Sequence, residues 1–392
     1  MAVNNMTIED SYILVGNLHQ MATGEATITP TNLSDFISVA QNTLLAGYDV
    51  VLGAITQMVT DTIYSVRPYS RKFKGLMYDS KEFGGIIRKI NFEDDDPEAS
   101  YRYNLTDGQS IDQYVVKKPK VLQTNYVGSD EWTDHYTITR DQLKMAFDSP
   151  EALGEFFTGL MTHFANQREQ RLEEMSRSAL CNFIAGKNAM GGSYDVIHLL
   201  TEYNTVTGAS PAFTAQTIRQ PANFPAFMKW VYGRVASLTD KMTERSELFQ
   251  QVITNHRIIR HTPLEDQRVY MLDEFLRSMS AEVLADTYHD SFLTYADVES
   301  VGYWQSIDKP DQIQVTPVLI DSSGAIDVGS AQTMTDVIGV VFDRNAIGYN
   351  VYEERLDSTD YNARGGYWNL WSYERVQYQN DFTEKGFVLV VD

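Results

Sequence analysis

The sequence predicts a mixed α+β fold, and three stretches support this prediction. A long amphipathic segment without interior proline runs from Ser149 to Gly186 and indicates a single extended helix. Between Gly75 and Tyr136, short alternating runs separated by turn residues indicate β-strands. Residues 200 to 345 mix helix-like and strand-like patterns, which indicates a compact α/β region. We therefore expect the long helix to pack one face on a sheet.

The N-terminal region is predicted to combine an irregular arm with helix. Residues 1 to 30 are rich in Thr, Asn and Gly and predict the irregular arm. The stretch from Leu33 to Val59 predicts a helix, or two shorter helices because Gly47 and Gly53 lie in its middle. Its most apolar part, Leu44 to Val59, is too short and too polar for a membrane span. The polar, acidic start does not predict a signal peptide.

A run of basic residues follows this acidic region. No Lys or Arg precedes Arg67, although several Asp and Glu do. In a chain this acidic, a local basic run indicates contact with a negative surface, and another copy of the same chain offers one. A solvated basic loop is the alternative that the sequence leaves open. The candidate inter-subunit contact residues are Arg67, Arg71, Lys72, Lys74, Lys81, Arg88 and Lys89.

An extended β arm is predicted in the same region. Its strands are Ile86 to Phe92, Tyr101 to Leu105 and Val115 to Tyr126. An excursion of this length is too long for a tight hairpin in a core, so we expect its stability to come from packing on something else. Residues Glu93 to Asp96 offer carboxylates for calcium, but they lack the ligand spacing of a helix-loop-helix calcium site.

The long helix has a clear start signal. Ser149 can accept a hydrogen bond from a backbone N–H of the first turn, and Pro150 fits that turn without needing a donor. Gly186 is the expected C-cap. Gln167 and Arg168 interrupt the apolar seam, which argues against a free coiled coil.

Beyond this helix the patterns predict a series of shorter elements. The predicted helices are Phe224 to Leu238 and Leu272 to Leu284. The predicted strands are Gln250 to Asn255, Gln267 to Met271, Ile313 to Ile320, Val337 to Phe342, Tyr373 to Tyr378 and Phe387 to Val391. Two of them, Ile313 to Ile320 and Val337 to Phe342, are predicted to belong to a central sheet.

The composition excludes several classes of protein. Hydrophobic residues make up 43% of the 392 residues, which excludes a wholly disordered chain. The net charge of -21 argues against a protein whose main task is to bind phosphate backbones. A single cysteine, Cys181, excludes an intramolecular disulfide framework. We interpret Cys181 as a small apolar residue on the long helix rather than as a reactive nucleophile.

The sequence carries no motif of a catalytic or cofactor site. The stretch from Gly186 to Gly192 has the glycine spacing of a phosphate-binding loop but lacks its lysine. The histidines form no metal triad, and neither a nucleophile elbow nor a dinucleotide fingerprint is present. Acidic pairs such as Glu353 with Glu354, or Asp357 with Asp360, are expected by chance among 53 acidic residues. We therefore expect no enzymatic activity, no cofactor and no metal.

The C-terminal stretch carries a family resemblance. It contains the run from Ile338 to Gly348, then Asn362-Ala363-Arg364-Gly365 before Tyr367-Trp368-Asn369, and then Asn380-Asp381 before a closing apolar strand. This stretch resembles the end of the major capsid proteins of tailed bacteriophages. The upstream order of arm, extended β loop, long helix and compact α/β region is similar to that of the Hong Kong 97-type shell fold.

The resemblance implies a division of the chain into the parts of that fold. The implied parts are an N-terminal arm (1–65), an E-loop that reaches over a neighbouring subunit (66–126), a peripheral domain (127–199) with its spine helix at 149–186, an axial domain (200–345), and C-terminal return strands that complete the peripheral and axial sheets (346–392).

The resemblance also implies a structural function. The chain would assemble as hexamers and pentamers into an icosahedral shell that encloses double-stranded DNA without sequence-specific binding. Its expected partners are other copies of itself, together with scaffolding, portal, and head decoration or tail proteins, and no membrane is expected. The expected location is the virion, after assembly in the host cytoplasm.

Two other functions remain open at this stage. An encapsulin-like cellular compartment would share the fold and would carry protein cargo. A soluble aromatic-rich binding protein or hydrolase would require convergent polar groups in a pocket, which the sequence does not indicate.

Overall fold

The computed structural model has a mixed α+β architecture. It describes residues 8–25, 29–47, 49–55, 73–76, 86–95, 100, 105–253, 256–284, 297–321, 323 and 325–392. The α-helices are α1 (Ile8–Thr23), α2 (Leu33–Leu45), α3 (49–55), α4 (Arg140–Ala146), α5 (Pro150–Met190), α6 (Leu199–Thr207), α7 (Ala215–Ile218), α8 (Phe224–Thr243) and α9 (Asp273–Leu284).

The strands form one five-stranded sheet, one three-stranded sheet and three two-stranded pairs among the described residues. They are β1 (Ile86–Phe92), β2 (Val121–Val127), β3 (Asp130–Thr139), β4 (Val196–His198), β5 (Gln267–Leu272), β6 (Asp297–Val301), β7 (Ile313–Val315), β8 (Val318–Ile320), β9 (Ile326–Val328), β10 (Gln332–Met334), β11 (Val337–Asp343), β12 (Ile347–Ser358), β13 (Tyr367–Asn380) and β14 (Gly386–Val390).

The long helix α5 begins where the sequence predicts and ends later. The Ser149 hydroxyl accepts a hydrogen bond from the backbone N–H of Ala152 at 3.1 Å, and Pro150 lies in the first turn. The helix contains 41 residues and is therefore about 60 Å long. It ends at Gly191, which has a left-handed φ of 65°.

The predicted C-cap at Gly186 is wrong, because this glycine lies inside the helix. A Cβ atom built on Gly186 would lie 2.4 Å from the ring of Phe382 and 2.8 Å from Leu319. The Phe382 ring stacks on Phe183 with a centroid distance of 5.3 Å. Gly186 is thus a site of close packing between the helix and the C-terminal region, and this role gives the same sequence signal as a cap.

Two apolar cores lie along α5. The first core surrounds the N-terminal half of the helix and also contains residues of α1, α2, α3, β3 and β13. The second core surrounds the C-terminal half and contains the five-stranded sheet. The α5 residues of the first core include Leu153, Phe157, Leu160 and Phe164, and those of the second include Leu172, Leu180, Phe183 and Ile184.

The five-stranded sheet has the strand order β4-β14-β11-β5-β6. Strands β11 and β5 are antiparallel, as are β11 and β14, whereas the two outer pairings are parallel. Every residue of β11 and β14 is buried. These strands are continuous apolar runs because both of their faces are covered. The prediction of strands at 267–271, 337–342 and 387–391 is confirmed to within one residue.

The three-stranded sheet has the order β12-β13-β3 and lies against α5. Its core-facing residues include Ile138, Leu356, Trp368 and Leu370. The Trp368 indole N–H donates a hydrogen bond to Asp49 Oδ1 at 2.7 Å, which ties α3 to the sheet. The sequence predicts only the central part of β13 in this sheet, at residues 373–378.

The N-terminal region is more helical than the sequence predicts. The expected irregular arm over residues 1–30 is wrong where it is described, because α1 occupies Ile8–Thr23. Val15 and Leu18 are buried in the first core, and His19 Nδ1 lies 3.0 Å from the Thr43 hydroxyl of α2. Tertiary packing therefore stabilises a segment whose own helix signal is weak.

The predicted helix over residues 33–59 is two helices, as the glycines in its middle allow. The chain turns at Gly47, where φ is 114°, and residues 49–55 form α3. Residues 56–59 lie outside the described part of the chain. Throughout that part, no helix has both the length and the apolar character needed to cross a bilayer.

Several predicted strands need correction. The run over 313–320 forms two short strands around Pro317, in separate two-stranded pairs rather than in the central sheet. The run over 250–255 contributes a single bridge at Ile253 in its described part. The strand predicted over 115–126 begins at Val121 and ends at Val127. Of the strand predicted over 101–105, residues 101–104 lie outside the described residues and Leu105 is not in a strand.

The predicted helices of the C-terminal half are confirmed. The first extends further than predicted, from Phe224 to Thr243, and the second runs from Asp273 to Leu284. Cys181 is buried on α5, as expected of a small apolar residue. Burial raises the pKa of its thiol to about 12, so that the thiolate is not formed near neutral pH.

Replacing Gly186 with Ala is expected to destabilise the fold by about 1–3 kcal/mol, because the added methyl group overlaps the Phe382 ring. The matched control is Gly159→Ala in the same helix, where no atom lies within 4 Å of the new Cβ. This control should be neutral or stabilising by up to about 1 kcal/mol, since alanine favours helix. Urea denaturation measures both changes, and equal effects of the two substitutions would contradict the packing role of Gly186.

Candidate subunit interface

An antiparallel hairpin projects from the body of the molecule. Strands β1 and β2 pair over seven residues each, from Ile86 opposite Val127 to Phe92 opposite Val121. Residues 105–120, which belong to the connection between them, are all exposed. Residues directly opposite each other share one face of the ribbon, so the register separates the hairpin into an outward and an inward face.

The outward face of the hairpin is apolar and exposed. Phe92 and Val121 lie directly opposite each other on this face, and the side chain of Phe92 is 66% exposed. Ile90 and Val127 extend the apolar stripe along the ribbon, and Arg88 lies among these residues, also exposed. A half-buried ribbon normally places its apolar residues inward. The reversed arrangement leaves apolar side chains of both strands in solvent, beside Arg88, Gln123 and Asn125 on the same face. Exposed apolar area of this kind is typical of an interaction site.

The inward face of β1 is held by polar and ionic contacts. The Lys89 ammonium contacts both Asp381 and Glu384. Two residues further on, Asn91 Oδ1 accepts a hydrogen bond from Arg260 at 3.0 Å, and the same guanidinium lies 2.9 Å from Glu384 Oε1. These contacts fix the hairpin to the turn at residues 381–384.

A second set of contacts fixes the end of β1 to the loop that follows α8. Asp94 Oδ2 accepts a hydrogen bond from the Ile259 backbone N–H at 2.7 Å, and the Asp94 N–H donates to the Arg257 carbonyl at 2.8 Å. Glu93 contacts His256, and Asp94 contacts Arg245. The base of the hairpin is therefore attached at several points over successive residues.

Burial of the carboxylates at the turn makes the Lys89 contacts strong. Burial alone would raise the pKa of Asp381, but Lys89, the Thr383 hydroxyl and Arg260 outweigh it and hold this pKa below its usual range. Burial raises the pKa of Glu384 even though Lys89 and Arg260 favour its ionised form. Lys89 is therefore the cation that keeps Asp381 ionised in a buried setting.

The connection of the hairpin carries a second exposed apolar run. Tyr114, Val115 and Val116 are consecutive, and Tyr114 is 80% exposed. Lys117 and Lys118 follow at once, and Lys117 lies 3.4 Å from Asp95 at the base of the hairpin. Apolar and basic side chains are thus presented together on a protruding segment.

A groove of about 800 Å³ lies beneath the hairpin. Its walls are β2, one face of α5, the β8–β9 pair, and the end of β13 with the turn that follows it. The lining residues include Leu122, Tyr126, Met175, Ala179, Leu319 and Ile326. No described residue of the lining is charged, and the described lining consists mainly of apolar and amide side chains.

The structure places the sequence-predicted contact residues in different settings. Arg88 lies on the outward face and Lys89 on the inward face, where it contacts its own chain. The backbone of Lys74 forms part of a 3₁₀ turn, Lys74–Leu76, and its side chain is not described. The remaining candidates lie outside the described residues and stay predictions, namely Arg67, Arg71, Lys72 and Lys81.

The apolar residues of the hairpin were not recognised as contact candidates from the sequence. Ile90 and Phe92 alternate with Lys89 and Asn91, and this period of two already shows that they share a face with Arg88. The sequence does not show which face of β1 points toward the rest of the subunit. The ionic partners that decide this lie 292 and 295 residues away along the chain.

Three residues of the acidic pairs named from the sequence form ion pairs with arginines of the same chain. Glu353 and Glu354 point to opposite faces of β12, where Glu353 contacts Arg375 and Glu354 contacts Arg168. Asp357 contacts Arg355. Among the described residues, no three His, Cys, Asp or Glu side chains form a cluster that could hold a metal ion.

Replacing Lys89 with Met is expected to destabilise the folded subunit by about 2–4 kcal/mol, because the substitution removes the main cation of two buried carboxylates. The control is Arg88→Met, one residue away on the outward face, which should change the stability of the free subunit by less than about 0.5 kcal/mol. Chemical denaturation of the unassembled protein measures both. If Arg88→Met lowered the stability as much as Lys89→Met, the result would contradict the stabilising role of the Lys89 contacts.

Comparisons with known proteins give one family match and several structural matches. The model of the Phi29-like phage major capsid protein family matches residues 16–384. The capsid structure of Staphylococcus phage Andhra matches with a TM-score of 0.54 and 11% identity, covering 82% of this chain and 84% of that chain. The structure of head fiber and inner core protein gp22 of native bacteriophage P68 matches with a TM-score of 0.55 and 11% identity, covering 82% and 85%.

These structural similarities show the fold, which is the Hong Kong 97-like capsid fold expected from the sequence. No curated protein matches the chain. The family match covers nearly the whole sequence and confirms the resemblance to phage major capsid proteins. The chain belongs to the Phi29-like phage major capsid protein family.

Proposed function

We propose that this chain is a structural head subunit that assembles as hexamers and pentamers into an icosahedral shell around double-stranded DNA. The observation that carries this proposal is the outward face of the hairpin. Ile90, Phe92, Val121 and Val127 are exposed although the hairpin is firmly attached to its own chain. A second copy that covers this strip would remove it from water.

The contacts at the base of the hairpin favour an interface between copies. A ribbon fixed on one face and apolar on the other presents a preformed surface, and preformed surfaces bind without a large loss of conformational entropy. If the strip of one copy contacts a different region of the next, the contact is heterologous, and repeated contacts of this kind form rings when the rotation between successive copies closes. Rings of six and five subunits are the units of the proposed shell.

The proposed division of the chain follows the Hong Kong 97-like fold. We assign residues 1–65 to the N-terminal arm, 66–126 to the E-loop, 127–199 to the peripheral domain, 200–345 to the axial domain and 346–392 to the return strands. The separation of the first and second cores along α5 supports distinct peripheral and axial parts. The basic residues from Arg67 to Arg88 are proposed contacts to acidic surface on a neighbouring copy.

The charge of the chain suits a container for DNA. A net charge of -21 opposes tight binding of phosphate backbones, so the enclosed DNA would be held without sequence-specific contacts. The proposed role is non-enzymatic. The proposed partners are scaffolding, portal, and head decoration or tail proteins, and the proposed location is the virion after assembly in the host cytoplasm.

Replacing Phe92 with Ser is expected to leave a folded subunit that assembles poorly. The substitution removes apolar area that a neighbour would cover, and a loss of about 1.4 kcal/mol per contact raises the critical concentration for assembly about tenfold. Gln123→Ser, on the same outward face, is the control; it removes little apolar area and should therefore affect assembly far less than Phe92→Ser. Analytical ultracentrifugation with negative-stain microscopy, on protein expressed with and without its genomic neighbours, measures both.

The outcomes of this experiment separate the possible functions. Shells, tubes or isolated rings formed by the parent chain and lost in Phe92→Ser support the proposal. Shells that contain protein cargo and no nuclease-protected DNA would indicate a compartment protein instead. A monodisperse monomer or dimer under every condition, with candidate scaffold present, would refute the proposed assembly.

A further inference from the structure

The connection between β1 and β2 contains a residue pair that occurs once in the chain. Asp107 is followed by Gly108, and this is the only Asp-Gly pair in the sequence, which contains no Asn-Gly pair. Glycine leaves its own backbone nitrogen unhindered, because it has no β-carbon beside that nitrogen. The pair therefore places a carboxyl carbon and an accessible amide nitrogen in adjacent residues.

These two residues form the centre of a turn whose ends are hydrogen-bonded to each other. The Gln109 backbone N–H donates to the Thr106 carbonyl at 3.0 Å. The Thr106 N–H and hydroxyl donate to Gln109 Oε1 at 3.3 and 3.1 Å. In the described part of the chain, neither the Asp107 carboxylate nor the Gly108 N–H has a hydrogen bond or an ion pair. Both groups are therefore available for reaction with each other.

Solvent reaches this turn, and strand pairing does not restrain it. Asp107 and Gly108 are exposed, as are the other residues from 105 to 120. Gly108 has a left-handed φ of 81°, and a Cβ atom built on it would meet no described atom within 4 Å. The pairing of β1 with β2 ends at Phe92 and Val121, so the ladder does not hold the backbone of the turn.

We propose that Asp107-Gly108 is a site of spontaneous backbone modification, at which Asp107 converts to isoaspartate. The Gly108 nitrogen attacks Cγ of the protonated Asp107 carboxyl. A new N–Cγ bond closes a five-membered succinimide ring, and the carboxyl hydroxyl leaves as water with the amide hydrogen. The reaction needs no enzyme, because both reacting groups belong to the same exposed turn.

Water then opens the succinimide ring at one of its two carbonyl carbons. Attack at Cγ breaks the new bond and returns aspartate. Attack at the backbone carbonyl carbon of Asp107 breaks the bond of that carbon to the Gly108 nitrogen and leaves isoaspartate. One water is lost and one is regained, so the product has the mass of the parent chain, and no oxidant or reductant takes part.

The modification changes the shape of the protruding segment. Isoaspartate adds one methylene group to the backbone and leaves a free carboxylate on Cα. A turn with a longer backbone cannot keep the spacing of the hydrogen bond between Thr106 and Gln109. The change lies beyond the last paired residues of the hairpin, in the connection that also carries Tyr114–Val116. This inference concerns the chain itself and does not depend on the proposed assembly.

A second aspartate pair in the chain provides an internal control. Asp357 precedes Ser358 in β12, where these residues lie opposite Trp371 and Leu370 of β13. The Asp357 carboxylate also lies 2.8 Å from Arg355. Ring closure at this pair requires the strands to separate and the ion pair to break, so we expect Asp357 to remain aspartate.

Ageing of the purified full-length chain tests the proposal. The protein is kept for several weeks at physiological temperature in mildly acidic buffer and then digested. Electron-transfer dissociation in the mass spectrometer identifies isoaspartate by its distinct backbone fragments. We expect isoaspartate to accumulate with time in the peptide that contains residues 107–108, and to be absent from the peptide that contains residues 357–358.

Two variants of the exposed turn establish the mechanism. Asp107→Glu should lose the isoaspartate signal, because its longer side chain would have to close a less favourable six-membered ring. Asp107→Asn should deamidate through the same succinimide, faster than the parent isomerises, and give the same two products.

The comparison with unfolded protein decides whether the fold permits the reaction. If the folded parent remained unmodified while the same chain in urea formed isoaspartate at Asp107, the proposal would be overturned. An isoaspartate signal of equal size in Asp107→Glu would also overturn it, as would accumulation at residues 357–358 in place of 107–108.

Discussion

The burial of one continuous helix in two separate cores is the constraint on which the rest of the structure depends. The N-terminal half of α5 packs with α1 to α3, β3 and β13, and its C-terminal half packs with the five-stranded sheet. Because both halves of the helix are packed in close-packed interiors, the helix fixes the position of one core relative to the other. Gly186 allows a close approach to this helix, because a Cβ atom at this position would overlap the Phe382 ring.

The hairpin divides its two kinds of interaction between its two faces. The inward face uses charges, which are strong here because Asp381 and Glu384 are buried. The outward face presents apolar side chains. Covering them would contribute a favourable free energy of burial, but this interaction has no preferred direction. The contacts within the subunit and the exposed apolar area therefore involve different residues. Arg88 and Lys89, adjacent in sequence, belong to opposite sides of this division.

Local patterns in the sequence predict the elements better than the contacts between them. The alternation of polar and apolar residues from Lys89 to Phe92 indicates β1, and Ser149-Pro150 indicates the start of α5, because both signals arise within a few residues. The helix end is mispredicted because glycine serves both caps and close packing. Strand β3 is missed because its sequence is mostly polar and charged, and its burial depends on pairing with β13. The inward direction of Lys89 depends on partners in the C-terminal turn, which no local pattern reveals.

The position of β14 in the five-stranded sheet affects how the chain can be made. This strand lies between β4 and β11 and pairs with both, although it follows every other strand in sequence. The sheet therefore cannot close until residues 386–390 have left the ribosome, so the second core stays incomplete while the residues before them are being synthesised. Contacts between residues so far apart in sequence also slow folding. A nascent chain without residues 386–390 therefore leaves the buried strand β11 with only one of its two neighbours in the sheet.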